Sequence, residues 1–235
     1  MPRRKWVQGD EMTPEIVHGS IVVVARQHNP TILHPAFLAG QGIVPKDWQV
    51  SGDPICIPPL ATVEYENGIQ FSVQTEKLKV QHDHPPVDMH ESPVPDLVEK
   101  YVRALPHVNY TAVGVNMTVF VELKSADEYL VRRFLKEDAC PFEGKPPRSA
   151  GMKMSYPIGN MTYNLELDAG KLQHHLNGKE RSGIIVRGNF HHPVQSDDEN
   201  TRLARIHDVV ETFADRCVTF LNHIEKILVM EDAAS

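Results

Sequence analysis

Three cysteines, Cys56, Cys140 and Cys217, are all that the 235 residues contain. They are scattered, odd in number and form no C-x-x-C pair, which excludes a disulfide scaffold and offers no zinc or redox pair. Inert thiols are expected, since free cysteine is among the most buried residue types. Positive charge is also scarce: 24 Lys and Arg stand against 31 Asp and Glu, for a net charge of −7. A general nucleic-acid or membrane-surface binder needs the opposite balance. Long apolar runs are missing as well. No stretch reaches the ~18 apolar residues of a spanning helix. The basic start, Met1 to Lys5, is not followed by the apolar segment of a secretory signal. The expectation is a cytoplasmic protein with no membrane partner. With 41% hydrophobic and 23% charged residues, disorder and collagen-like sequence are excluded too. The length supports a substantial core in a single domain, 1–235.

What is present is a series of alternating patterns. In Ile16–Gln27, Val17, Ile21, Val23 and Ala25 share one parity and His18, Ser20 and Arg26 the other, the mark of a strand. A proline-punctuated helical turn region, Pro30–Leu38, and an irregular connection follow. Ala61–Gln81 reads as a hairpin. A three-residue loop, Glu66-Asn67-Gly68, pairs Tyr65 with Ile69 and Val63 with Phe71, whereas a two-residue loop would set Glu64 against Phe71. Asp96–Leu105 carries an apolar helical face. His107–Leu123 is the clearest strand, with Val113, Val115, Met117, Val119, Val121 and Leu123 on one parity. Ser125 with Glu128 forms a capping-box pattern that opens a helix, and Ala139–Gly151 reads as a loop. Two further strands run through Met161–Leu167 and Ile184–Phe190. From Ser196 to about Val229, Leu203, Ile206, Val210, Phe213, Cys217, Phe220, Ile224 and Ile227 recur at helical spacing. A dimeric coil fits that spacing. Leu221 and Leu228 widen the stripe, which favours a long helix packed across a sheet.

The predicted fold is therefore α+β: two pseudo-repeated β-α-β-β-α units, about 16–105 and 107–229, forming a mostly antiparallel sheet. Helices lie on one face, and a long helix ends the chain. Asn29-Pro30-x-Ile32-Leu33-x-Pro35-x-Phe37-Leu38, with Ile43-Val44-Pro45-x-x-Trp48, resembles the opening of a group of uncharacterised bacterial proteins. Leu105-Pro106-His107-Val108-Asn109-Tyr110-Thr111-Ala112-Val113-Gly114-x-Asn116 is similar to a second signature of that group. The resemblance implies a bacterial origin and no particular chemistry.

Motifs of the common enzyme classes are missing. Gly40-x-Gly42 meets Pro45 where a third glycine would be needed, and no P-loop or G-x-S-x-G elbow occurs. Two patterns bear on metal chemistry. His82-Asp83-His84, with His90 nearby, offers an H-x-H pair on one face of an extended segment, against the alternative of a solvated connector. His174-His175 and His191-His192 are adjacent residues that point to opposite faces when extended. Pro95-Asp96 followed by Glu122-x-Lys124 resembles the signature of metal-dependent nucleases, in which two carboxylates hold Mg²⁺ and the lysine helps polarise water. The alternative is a helix-start acid and a strand-end ion pair.

Tyr110, Gly114, Asn116 and Phe120 lie on the parity of the central strand opposite its apolar residues. With helices on one side only, they would line an exposed concave surface. The leading expectation is a non-catalytic binding or assembly protein without a cofactor. It would act through protein–protein contacts or as a homo-oligomer, as a subunit of a larger system. The alternatives are a nuclease or hydrolase using Asp96, Glu122 and Lys124, and a nucleic-acid-binding regulator, which the net charge disfavours.

Overall fold

The computed structural model describes residues 13–136, 141–173 and 180–228. Met1 to Lys5, Cys140 and His174-His175 lie outside the described residues. The elements run β1 (Pro14–Ala25), a 3-10 turn (Pro30–Ile32), α1 (Pro35–Gly40), β2 (Ile55–Ile57), β3 (Leu60–Glu64), β4 (Ile69–Gln74) and β5 (Lys77–Asp83). A second 3-10 turn (Met89–Glu91), α2 (Val94–Ala104), β6 (Tyr110–Glu122) and α3 (Ala126–Phe134) follow. The chain continues with β7 (Met152–Ile158), β8 (Met161–Gln173), β9 (Glu180–Pro193), α4 (Glu199–Glu211) and α5 (Phe213–Leu228). The strands form one antiparallel nine-stranded sheet in the order β2-β3-β4-β5-β1-β6-β9-β8-β7. Among the described residues no helix is long and apolar enough to cross a membrane.

This corrects the predicted layout of two β-α-β-β-α units. The segment read as one hairpin turns a second time at Thr75-Glu76, so β3, β4 and β5 are successive strands. β5 escaped notice because Lys77, Lys79, Gln81 and Asp83 make its alternate positions polar. β7 lies in a stretch left unassigned; it carries Pro157, which an edge strand tolerates because one side of its ladder is unpaired. The single C-terminal helix is two. At Thr212 the hydroxyl donates to Val209 O at 2.7 Å and interrupts the helical ladder, the local competition that hydroxyl side chains offer to a helix. Caps differ too. Asp198 caps α4, accepting from the Thr201 N–H at 2.6 Å, and Ser125 makes no side-chain cap bond to α3.

The hairpin register is as the sequence predicts. Val63 faces Phe71, and the Tyr65 N–H donates to Ile69 O at 2.8 Å. Gly68 sits at φ 82°, and a Cβ there would lie 2.8 Å from Asp83 O, so both conformation and space demand glycine.

One face of the sheet supplies Ile21, Val23, Phe71, Val80, Val115, Val119, Val186 and Phe190 to the core. α2, α4 and α5 pack on this side, and α3 covers β8 and β9. α5 buries Phe213, Cys217, Phe220, Ile224 and Leu228 there, which is the packed-helix arrangement rather than an external coil. Two strand glycines admit its rings. A Cβ on Gly19 would lie 3.2 Å from Phe213 Cζ, and one on Gly188 would lie 2.6 Å from Phe220 Cε2. The opposite, open face of the sheet is where the polar alternate positions emerge.

Candidate binding face

Cross-strand register assembles a transverse row on the open face. Gln70 on β4 faces Gln81 on β5, which faces Ser20 on β1, which faces Asn116 on β6. Asn116 faces Asn189 on β9, Asn189 faces Asn164 on β8, and Asn164 faces Ser155 on β7. Directly opposed residues bring their Cβ atoms within ~4.5–5.5 Å, close enough for short amides to bond. They do so head to tail. Ser155 Oγ donates to Asn164 Oδ1 at 2.8 Å, and Asn164 Nδ2 to Asn189 Oδ1 at 3.3 Å. Asn189 Nδ2 then donates to Asn116 Oδ1 at 2.7 Å, and Asn116 Nδ2 to Gly114 O at 3.2 Å. The amide dipoles share one direction and the side chains are held in place, leaving unused N–H and lone-pair positions toward solvent.

The next row is charged. Asp83 faces His18, His18 faces Thr118, Thr118 faces Arg187, Arg187 faces Glu166, and Glu166 faces Lys153. Lys153 pairs with Glu166 at 3.2 Å and Arg187 with Asp168 at 3.3 Å. His18 Nδ1 donates to Asp83 Oδ1 at 2.8 Å, and Gln81 Nε2 donates to Asp83 Oδ2 at 2.9 Å. The His18 hydrogen bond, aided by its charge, by Gln81 and by Lys79, outweighs burial and holds the Asp83 carboxyl below its ordinary range. A depressed carboxyl contributes stability that is fully present above the unfolded value, ~3.9, and lost as pH falls through the lower folded value. Asp83→Asn is therefore expected to flatten the decline of melting temperature below about pH 4. An unchanged acid limb would remove Asp83 from that role.

His18 Nε2 also lies 3.2 Å from Ser20 Oγ, within hydrogen-bond distance. Ser20, His18 and Asp83 thus have the hydroxyl–imidazole–carboxylate connectivity of hydrolases, which sequence reading missed because Asp83 arrives from another strand. Acyl transfer needs more than connectivity. Ser20 is only 1% exposed, and β1 is laddered on both sides, by β5 and β6. The ladders on both sides of β1 engage its backbone N–H groups, which an oxyanion hole would need free. The chain of bonds positions the carboxylate and closes the floor of the face.

A cavity of about 660 Å³ opens over these rows, touching Lys77 and Lys79 at one end and Lys153 and Ser155 at the other. On a flat sheet β5 and β7 would be ~24 Å apart, at ~4.8 Å per strand. The cavity therefore runs as a shallow trough across six strands, from β5 to β7.

The residues singled out in the sequence fall in different places. Gly114 and Asn116 lie in the trough's polar pattern, and a Cβ on Gly114 would approach Asn189 Nδ2 to 3.0 Å. Tyr110 does not belong to this face. The register shift between Val24 and Ala25 opposite Thr111 turns it inward, where it is fully buried and its hydroxyl donates to Leu105 O at 2.9 Å. Phe120 is on the open side but 1% exposed, roofed by the Arg181 guanidinium 5.2 Å above its ring. Glu122 and Lys124 line a separate cavity of about 380 Å³ with Arg181, which sits 3.5 Å from Glu122. Asp96 is in the helix layer on the other side of the sheet, paired with Lys100 at 2.7 Å. The two carboxylates are not brought together. His82 points to the helix side, 3.5 Å from Ser92 Oγ, and burial lowers its pKa. His84 leaves the strand at φ 53°, and His90 lies in a 3-10 turn. Among the described residues no three His, Cys, Asp or Glu side chains converge as metal ligands.

No protein-family model matches this chain, and no curated protein sequence matches it at a significant level.

Proposed function

We propose that this chain is a non-catalytic binding protein, a subunit of a larger assembly, that receives a protein partner in the trough of its sheet. The observation that carries the reading is the bonded row from Asn116 to Ser155. It is a fixed, hydrogen-bond-capable surface spanning four strands, on the side of the sheet opposite the packed helices. Here the amides are locked to one another, so little side-chain entropy remains to be lost when a partner docks. The sealed Ser20 hydroxyl and the separation of Asp96 from Glu122 support binding over catalysis.

The test is comparative capture from cells expressing the tagged chain. Asn189→Trp fills the middle of the trough, while Lys100→Ala alters the exposed helix side. A partner retained by wild type and by Lys100→Ala but lost with Asn189→Trp is the expected result, with melts showing all three folded. A partner held equally by the Asn189→Trp chain would overturn the assignment of the face.

A further inference from the structure

We propose that the β5 end of the trough is an anion site for acidic side chains, so that the partner docks there through a short, extended acidic segment. This rests on the reading of the open face as a binding face.

Lys77 and Lys79 stand at alternate positions of β5 and both line the trough. Among the described residues neither has a carboxylate within 4 Å, in contrast to Lys153 and Arg187 on the far side. The one carboxylate whose field reaches Lys79 is Asp83, and both its oxygens are already occupied, by His18 and by Gln81. Lys79 is half-buried, and burial together with the neighbouring charge of Lys77 lowers its pKa. Two like charges thus stand side by side, Lys79 half-buried and Lys77 exposed, with no ion-pair partner among the described residues. In a chain of net charge −7, cations are the scarce resource, and these two are not used internally. Such a pair gains when an anion arrives, because the anion offsets both the desolvation and the mutual repulsion.

Geometry selects the kind of anion. Alternate residues of a strand are ~6.6–6.8 Å apart, which is also the repeat of same-side side chains along an extended peptide. Two carboxylates at positions i and i+2 of such a peptide match the two ammonium groups. Ser72 and Gln74 of β4 stand directly beside Lys79 and Lys77, and supply uncharged donors to the same groups. A nucleic acid fits less well. Among the described residues no Phe, Tyr or Trp lines the trough to stack a base. A long polyanion would also extend into the field of a strongly acidic chain, whereas a short peptide feels only the local lysines.

The experiment uses the full chain and a fluorescein-labelled peptide of about twelve residues alternating Glu and Ser, followed by anisotropy. A Gln-for-Glu version of the peptide is the control, and single-stranded and duplex DNA of about twenty nucleotides are the competing probes. The expected result is binding of the Glu peptide that weakens with salt between ~0.05 and ~0.5 M. It should fall at least about tenfold for the Gln peptide and for the Lys77→Gln/Lys79→Gln chain, and further for Lys77→Glu/Lys79→Glu. No binding of the Glu peptide, equal binding of both peptides, or binding unaffected by the lysine variants would overturn the proposal. Tighter binding of either DNA would overturn it in favour of a nucleic-acid ligand. In the capture assay, a partner lost with Asn189→Trp but kept by Lys77→Gln/Lys79→Gln would defeat the acidic class alone. A partner kept by both would defeat the face itself.

Discussion

Deleting everything after Asp198 is expected to abolish the cooperative thermal melt. α4 and α5 together bury Ile206, Val209, Val210, Phe213, Cys217, Phe220, Ile224 and Leu228 on the inner side of the sheet. Each of the larger side chains contributes ~1.5–3 kcal/mol on full burial, as an upper estimate. Their sum is at least comparable to the ~5–15 kcal/mol by which a typical domain is stable, so little net stability would survive their loss. The deletion also strips the cover from β6 and β9, against which α5 packs. Circular dichroism should then show a broad, non-cooperative loss of signal, and light scattering should show aggregation rather than a compact monomer. A truncated chain that melts cooperatively near the full-length temperature, and has merely become monomeric, would mean that the helices form an external dimer seam.

The second large effect concerns the fit of Phe220 over Gly188. Phe220→Ala is expected to cost about 3–5 kcal/mol, the range for removing a fully buried ring. Gly188→Ala places a methyl group where Phe220 Cε2 and Cδ2 would be 2.6 and 2.7 Å away. Overpacking of that kind costs ~1–3 kcal/mol. The double variant is the informative one. The new methyl occupies part of the space the ring vacates, so the combined loss should be well below the sum of the single losses. Chemical denaturation of the four proteins measures the coupling. Strict additivity would show that ring and glycine do not compete for the same volume.

Local patterns were readable wherever a residue's surroundings are set by its neighbours in sequence. The alternation from Val113 to Val121 announces β6, and Glu66-Asn67-Gly68 announces the hairpin loop, because side-chain parity and left-handed backbone are local demands. β5 failed because half of its residues face the trough and look like connector. Thr212 failed because the break comes from one hydroxyl bond rather than from a proline or glycine. The polar open face was legible only in part. Asn116 and Gly114 follow from strand parity alone. Asn189, Asn164, Ser155, Ser20 and Asp83 join them only through register between strands, which no single segment encodes. Tyr110 was misplaced for the same reason: a shift of register in β6 against β1 reverses the parity on which its placement depended.

The strand order also sets the order in which the chain must solve its search problem. β2 through β5, and β7 through β9, are stacked by successive hairpins, so each block closes by short loops. β1 and β6 are different. They pair with one another although their partners are roughly a hundred residues apart in sequence. Each is also flanked by the last strand of a block rather than by its chain neighbour. The seam in the middle of the sheet is therefore the contact with the highest entropic cost of loop closure, while the margins are cheap. That topology belongs with domains that fold in milliseconds to seconds rather than microseconds. It also places the trough across the seam: Ser20 and Asn116 face each other only where β1 and β6 are paired.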